Sequence, residues 1–324
     1  MLGNRILQVS RFITDTIVFT ILGKIKMRLS NEELAFFTKN YSAGNDAALI
    51  VHIREDGKRR PVKALLKRLL GMRSKEAEND AEVDAMTKEI IAQSGRVDLG
   101  SITAYLHRMF ARDDHLRKLE YPFMAECITE KIEKKDLIVD IGGGNAWSTK
   151  LLMLLQIPGS KILSVDVVNH CASSKYNVEY LKGNCLHTPL ATESVDVVVS
   201  ISTFEHVGLG RWGDPIDPDG DIKEMREVHR ILRSGGYVVL TLPYGAPTVV
   251  YNLHRIYNDG RIKKMIEGFS IAGEGYSLHG KKCEKTAVAN LKIAYSIPGF
   301  YDNVPDNQKL PNAQGGIMLL LKKR

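Results

Sequence analysis

The stretch LIVDIGGGNAWSTKLL, Leu137 to Leu152, decides the fold. An apolar run of strand length, Leu137–Ile141, meets three consecutive glycines and passes into a helical pattern over Ser148–Gln156. A junction of this kind brings a ligand close to backbone N–H groups at the start of a helix. A dinucleotide turn needs a third glycine, in GxGxxG, so that helix and strand pack closely. Counted from Gly142, the second glycine is Gly144 and the third position is Trp147, so this turn is not built for a pyrophosphate. An indole has one donor and no acceptor, and Trp147 is expected to pack under the ligand or against neighbouring helices.

Downstream, strand patterns recur at Lys161–Val165, Val178–Leu181, Val195–Ile201 and Tyr237–Leu242, with a helix over Ile222–Leu232 opened by a capping box of Asp221 and Glu224. This alternation predicts an α/β fold, a mostly parallel sheet flanked by helices. A helix over Asn252–Glu267, a strand at Phe269–Tyr276 and a last strand in GGIMLLLKK complete the pattern. Upstream, Ser101 is the expected N-cap of one helix, and Pro122 the first turn of another. The expected organisation is a helical N-terminal extension over residues 1–100 and a sheet domain over 101–324.

The chain has 324 residues, 44% hydrophobic and 26% charged, which suits a globular core. Ile6–Leu22 is apolar but interrupted by Arg11 and Asp15, so it falls short of the ~20 residues of a spanning helix and reads as an amphipathic helix. Four cysteines, Cys127, Cys171, Cys185 and Cys283, show neither CxxC spacing nor the density of a disulfide scaffold, and the expected compartment is the reducing cytoplasm. Net charge is +7, and eight basic residues with no acid fall within Lys58–Lys75. That segment suits a solvated face, a peripheral contact with an anionic membrane, or phosphate; without aromatics, nucleic acid is the weakest of the three. The acidic stretch Glu76–Asp84 follows it and is expected to pair with it.

VDIGGGNAW resembles the first motif of class I S-adenosylmethionine-dependent methyltransferases of the type 11-like group, with Ala146 where a third glycine is frequent. ILSVDVV, YLKGNCLHTPL, and SVDVVVSISTFEHVG with EMREVHRILRSGGYVVLTLP resemble later motifs of that family in the same order, over Leu137 to about Pro243. The resemblance implies a Rossmann-like sheet and S-adenosyl-L-methionine as cofactor. It implies that Asp140 contacts the amino end, Gly142 and Gly144 admit the backbone approach, Asp166 accepts from the ribose hydroxyls, and Asn184, beside Cys185, meets the adenine. An NAD-dependent oxidoreductase would use Asp166 in the same way, and a non-catalytic cofactor-binding protein would keep the fold.

EYPF and EHVGLGRWGDPIDPDGD are similar to segments of a little-characterised methyltransferase-like group, some of whose members occur beside genes for surface-polysaccharide synthesis. That likeness implies a glycan, lipid-linked or other small-molecule hydroxyl as acceptor. His206 and Glu205, past the fourth strand of the motif set, are the candidate catalytic pair for taking its proton. Arg211, Trp212, His254 and Tyr257 are the candidate acceptor-binding residues. Asp214, Asp217, Asp219 and Asp221 crowd one loop, but their spacing with proline and glycine is that of turns, and no metal is expected.

Overall fold

Strands β4 (Leu137–Ile141) and β7 (Val195–Ile201) are buried almost throughout, as strands covered on both faces must be. The computed structural model describes residues 5–12, 16–21, 48–53, 75–110, 116–143, 147–167, 171–210, 214–251, 253–291 and 315–324. The first three of these segments are strands: β1 (Arg5–Phe12), β2 (Thr16–Ile21) and β3 (Ala48–Ile53). Three helices follow: α1 (Lys75–Ser94), α2 (Leu99–Met109) and α3 (Arg117–Glu126). After β4 come α4 (Trp147–Leu155), β5 (Lys161–Asp166) and β6 (Val178–Lys182). β7 leads to α5 (Gly220–Ile231), β8 (Leu232–Pro243), β9 (Thr248–Tyr251), β10 (His254–Ile256) and α6 (Asp259–Met265). β11 (Phe269–Leu278), β12 (Lys281–Cys283), the short α7 (Lys285–Val288) and β13 (Gly315–Lys323) end the chain.

The main sheet has eight strands in the order β12-β11-β13-β8-β7-β4-β5-β6. Strands β6, β5, β4, β7 and β8 are mutually parallel, and β13 is inserted antiparallel between β8 and β11. This is a Rossmann-like sheet. From β4 the chain steps outward through β5 and β6, then returns to β7 on the other side, so the crevice at the carboxyl ends of β4 and β7 is the switch point where such sheets take ligands. The period of two sorts the core: Ile138, Val197 and Val199 face the helices α1 to α4, while Val139, Val198 and Val238 face α5 and α6.

Several local expectations are corrected. Ile6–Leu22 is the antiparallel hairpin β1–β2 rather than an amphipathic helix, consistent with its β-branched and aromatic content. These strands join β3, β9 and β10 in a second sheet, so the described part of the first hundred residues is not uniformly helical. α1 is helical, and its Val83, Met86 and Ile90 belong to the same core as α4. Asp98, not Ser101, caps α2: its side chain accepts from Ser101 N at 2.8 Å while Ser101 Oγ accepts from Asp98 N at 2.8 Å. Pro122 lies inside α3, whose first turn is closed by the Arg117–Glu120 pair at 2.6 Å. Asp219 is the N-cap of α5, leaving Asp221 in its first turn, and Asn252–Glu267 divides into the β9–β10 hairpin and the shorter α6, capped by Asn258. The basic segment Lys58–Lys75 lies outside the described residues except at Lys75. No helix among the described residues is long and apolar enough to cross a membrane.

Leu319, fully buried on β13 opposite Leu240, tests how far the sheet depends on its antiparallel strand. Leu319→Ala is expected to lower unfolding free energy by about 2–5 kcal/mol, read as a reduced urea midpoint at unchanged slope.

Candidate functional site

At the end of β4 the Asp140 side chain is fully buried. Its Oδ2 accepts from Ser148 Oγ at 2.8 Å and from Thr149 Oγ1 at 2.5 Å, which ties the strand to the first turn of α4, and its Oδ1 has no partner. Burial, opposed by the two hydroxyls and reinforced by the charge of Asp166, pushes the Asp140 carboxyl up to about 6.

The glycines of the turn are demanded by their surroundings. Gly142 has φ +79°, its N–H donates to Val165 O at 2.8 Å, and a Cβ there would lie 2.3 Å from Thr203 Oγ1. A Cβ on Gly143 would lie 2.2 Å from both Asp140 Oδ2 and Thr149 Oγ1, so the middle glycine, passed over in the motif, is as constrained as the first. Gly144 lies outside the described residues. Trp147 opens α4, its N–H donates to Tyr121 Oη at 3.2 Å, and its ring meets Phe110 edge-on at 5.9 Å. The indole is therefore packing between helices, one of its two expected places.

One strand over, Asp166 stands half-buried at the end of β5, where its carbonyl accepts from Tyr180 Oη at 3.0 Å. Beyond β6, Asn184 is exposed and its Oδ1 accepts from Leu186 N at 2.9 Å, so this amide closes its own turn. Cys185 faces inward to Glu224, and burial raises its thiol well above the ordinary range.

The loop after β7 carries the candidate catalytic pair. Ser202 adopts φ +47° and donates from Oγ to Glu120 Oε1 at 2.7 Å. Glu205 is buried with Oε2 unpartnered; burial, helped by Glu120 and Glu224 against the attraction of Arg117, pushes its carboxyl up to about 8. His206 Nδ1 is hydrogen-bonded to Leu253 O. A carbonyl only accepts, so Nδ1 holds the proton and Nε2, 3.8 Å from Glu205 Oε1, is the basic nitrogen of the neutral ring. Arg117, Glu120 and Tyr121 of α3 reach this loop and were not among the expected site residues. The Arg-x-x-Glu spacing was the signal available for them, since residues three apart on a helix pair.

Behind Glu205, the first turns of α5 bury Glu224 with neither oxygen hydrogen-bonded and only the Cys185 thiol beside it; burial first, then Asp221 and Asp214, push it up to about 8. The four loop aspartates are used in turns and ion pairs. Asp214 accepts from Gly208 N at 2.8 Å, Asp217 pairs with Lys223 at 2.5 Å, and Asp219 and Asp221 pair with Arg261 at 3.1 and 2.5 Å. Arg211 and Trp212 lie outside the described residues. His254, on β10, and Tyr257 are buried, the latter against Asp221, Arg255 and Glu205.

Residues 151–294 match the family described as Caenorhabditis protein of unknown function, DUF268. No curated protein sequence matches the chain. Among solved structures it resembles a protein assigned as a methyltransferase from Bacillus halodurans C-125, at 14% identity and TM-score 0.40, over 62% of this chain and 98% of that one. It also resembles a SAM-dependent methyltransferase from Methanosarcina mazei, at 15% identity and TM-score 0.38, over 60% and 96%. A third is assigned as a sarcosine dimethylglycine methyltransferase from Galdieria sulphuraria, at 13% identity and TM-score 0.42, over 63% and 84%. Similarity at this level transfers neither activity nor substrate, and the fold rests on the strand order above.

The two acids raised to about 8 set a pH dependence. Because folding favours their protonated forms, their contribution is complete below the ordinary glutamate range and is lost as pH rises through 8. The melting temperature is expected to fall between pH 6 and pH 8.5, and the fall to be shallower in Glu224→Gln; thermal melts across that range check it.

Proposed function

We propose that this chain is an S-adenosyl-L-methionine-dependent methyltransferase that methylates a hydroxyl of a carbohydrate or lipid-linked small molecule. The observation that carries the reading is the juxtaposition of Asp140, with its unpartnered Oδ1, and Asp166 at adjacent strand ends beside the glycine turn of the switch point. The residues fit the cofactor: a buried carboxyl oxygen lacking a donor suits an ammonium group, and a half-buried carboxylate one strand over suits a pair of ribose hydroxyls. Cys185 and Asn184 lie on the adenine side of that placement.

When bound, the sulfonium supplies an electrophilic methyl group for in-line displacement. His206 takes the acceptor's hydroxyl proton at Nε2, since Nδ1–H is committed to Leu253 O. Glu205 supplies the counter-charge to the imidazolium formed. Arg117, fixed by Glu120 and lying 5.6 Å from the centre of the Tyr121 ring, borders the same loop on the side of α3. Arg211 and Trp212 are the residues we assign to the acceptor, with His254 and Tyr257 forming the wall behind His206. We place the protein in the cytoplasm, at an anionic lipid surface reached through residues 58–75.

Calorimetry with S-adenosylhomocysteine and radiolabelled methyl transfer to a panel of glycans and glycolipids test the reading. Asp166→Ala is expected to weaken cofactor binding roughly 10- to 100-fold, from about 1.5–3 kcal/mol per lost charged hydrogen bond. His206→Gln is expected to lower kcat by about two to four orders of magnitude while leaving cofactor affinity unchanged. No heat of binding with folded wild-type chain sinks the reading; binding without transfer to any acceptor favours a non-catalytic role.

A further inference from the structure

Helix α1 has no part in the chemistry above, yet its polar face is directed at one short segment of the sheet domain. Two stripes run along it. Asn79, Val83, Met86 and Ile90 recur at three- and four-residue steps and are buried, the three apolar members in the core shared with α4. Glu76, Asp80 and Asp84, four residues apart, form a second stripe.

Every acid of that stripe binds within Ser173–Tyr176, a segment between Asp166 and β6. Glu76 Oε1 accepts from Ser174 N at 2.6 Å and Ser174 Oγ at 2.7 Å, and Asp80 Oδ1 accepts from Ser173 Oγ at 2.5 Å. Asp84 accepts from Tyr176 Oη at 2.6 Å and pairs with the Lys175 ammonium, and Asn79 Nδ2 donates to Ala172 O at 3.2 Å. The Lys175 ammonium and the Tyr176 hydroxyl hold the Asp84 carboxyl below its usual range, so it stays ionised at neutral pH. From the same helix Glu82 binds Lys150 of α4 at 2.7 Å. α4 leaves the glycine turn after β4, while Ser173–Tyr176 continues from β5. α1 therefore spans the two walls of the crevice.

Exposed ion pairs add little to stability, and Val83, Met86 and Ile90 already anchor α1 by apolar burial. What the acids add is the placement of the segment they grip. We propose that α1 is a positioning element of the cofactor site: Glu76, Asp80 and Asp84 fix Ser173–Tyr176, and with it the orientation of Asp166, against the wall that Glu82 holds through Lys150. This rests on the methyltransferase reading above.

The test uses the full chain, comparing wild type with Asp80→Ala/Asp84→Ala and with Asp80→Asn/Asp84→Asn, which keeps the acceptor oxygens. Three quantities are measured: affinity for S-adenosylhomocysteine, hydrogen exchange of the ligand-free protein, and melting temperature. The alanine pair is expected to weaken binding about tenfold and to speed exchange over residues 171–178, while the melting temperature moves by no more than about 2 °C. The asparagine pair is expected to recover most of the affinity. Wild-type affinity in the alanine pair overturns the proposal alone. Weakened binding accompanied by faster exchange across the whole sheet also overturns it, because the acids would then hold the fold in general. Failure of the wild-type chain to bind overturns the methyltransferase reading and this proposal together.

Discussion

Asp140 has no contact with water, and the carboxyl end of the sheet is organised around how its two oxygens are used. One accepts from consecutive hydroxyls, Ser148 and Thr149, and so fixes the direction in which α4 leaves the strand. That closure brings the backbone of Gly143 so near the carboxyl that a side chain there has no room, and Thr203 crowds Gly142 from the loop after β7. The other oxygen is left without a donor inside the protein, a condition that costs stability unless something else supplies one. The lock and the vacancy in hydrogen bonding are thus two uses of one carboxyl group.

The neighbouring loop follows the same rule with the opposite outcome. Glu120 and Asp221 are buried with arginines, Arg117 and Arg261, and keep their charge partners. Glu205 and Glu224 are buried without such a partner, and desolvation moves both to about 8. At neutral pH they are largely uncharged acids next to a histidine whose tautomer is set by a backbone carbonyl. A fold that buried fewer arginines here would protonate more of its carboxyls, and one that buried more would leave no acid responsive near neutrality.

The N-terminal part of the chain enters this arrangement from two directions. Through α1 it grips the segment after Asp166. Through β3, paired in parallel with β9, it joins the sheet whose β9–β10 turn contains Leu253, the residue whose carbonyl orients His206. The expectation that the acidic stretch Glu76–Asp84 pairs with the basic segment before it passed over the partners it has within the sheet domain, Ser173, Ser174, Lys175, Tyr176 and Lys150.

By itself the sequence determined the order of elements from Leu137 to Pro243 and the position of the glycine turn, because strand and helix periods and glycine requirements are local properties of the chain. β4 and β7 begin and end where their apolar runs do. It also marked Asp140, Asp166, Glu205 and His206 by their place after strands. Tertiary structure decided what those side chains face: that Asp140 grips α4, that Asn184 closes its own turn, that Glu224 is buried without a strong partner, and that Arg117 and Glu120 arrive from a helix far away in sequence. It decided as well that Ile6–Leu22 forms a hairpin, since β1 is paired on both sides by β2 and β3. Hydrogen-bond partners and burial depend on residues distant along the chain, and no local pattern encodes them.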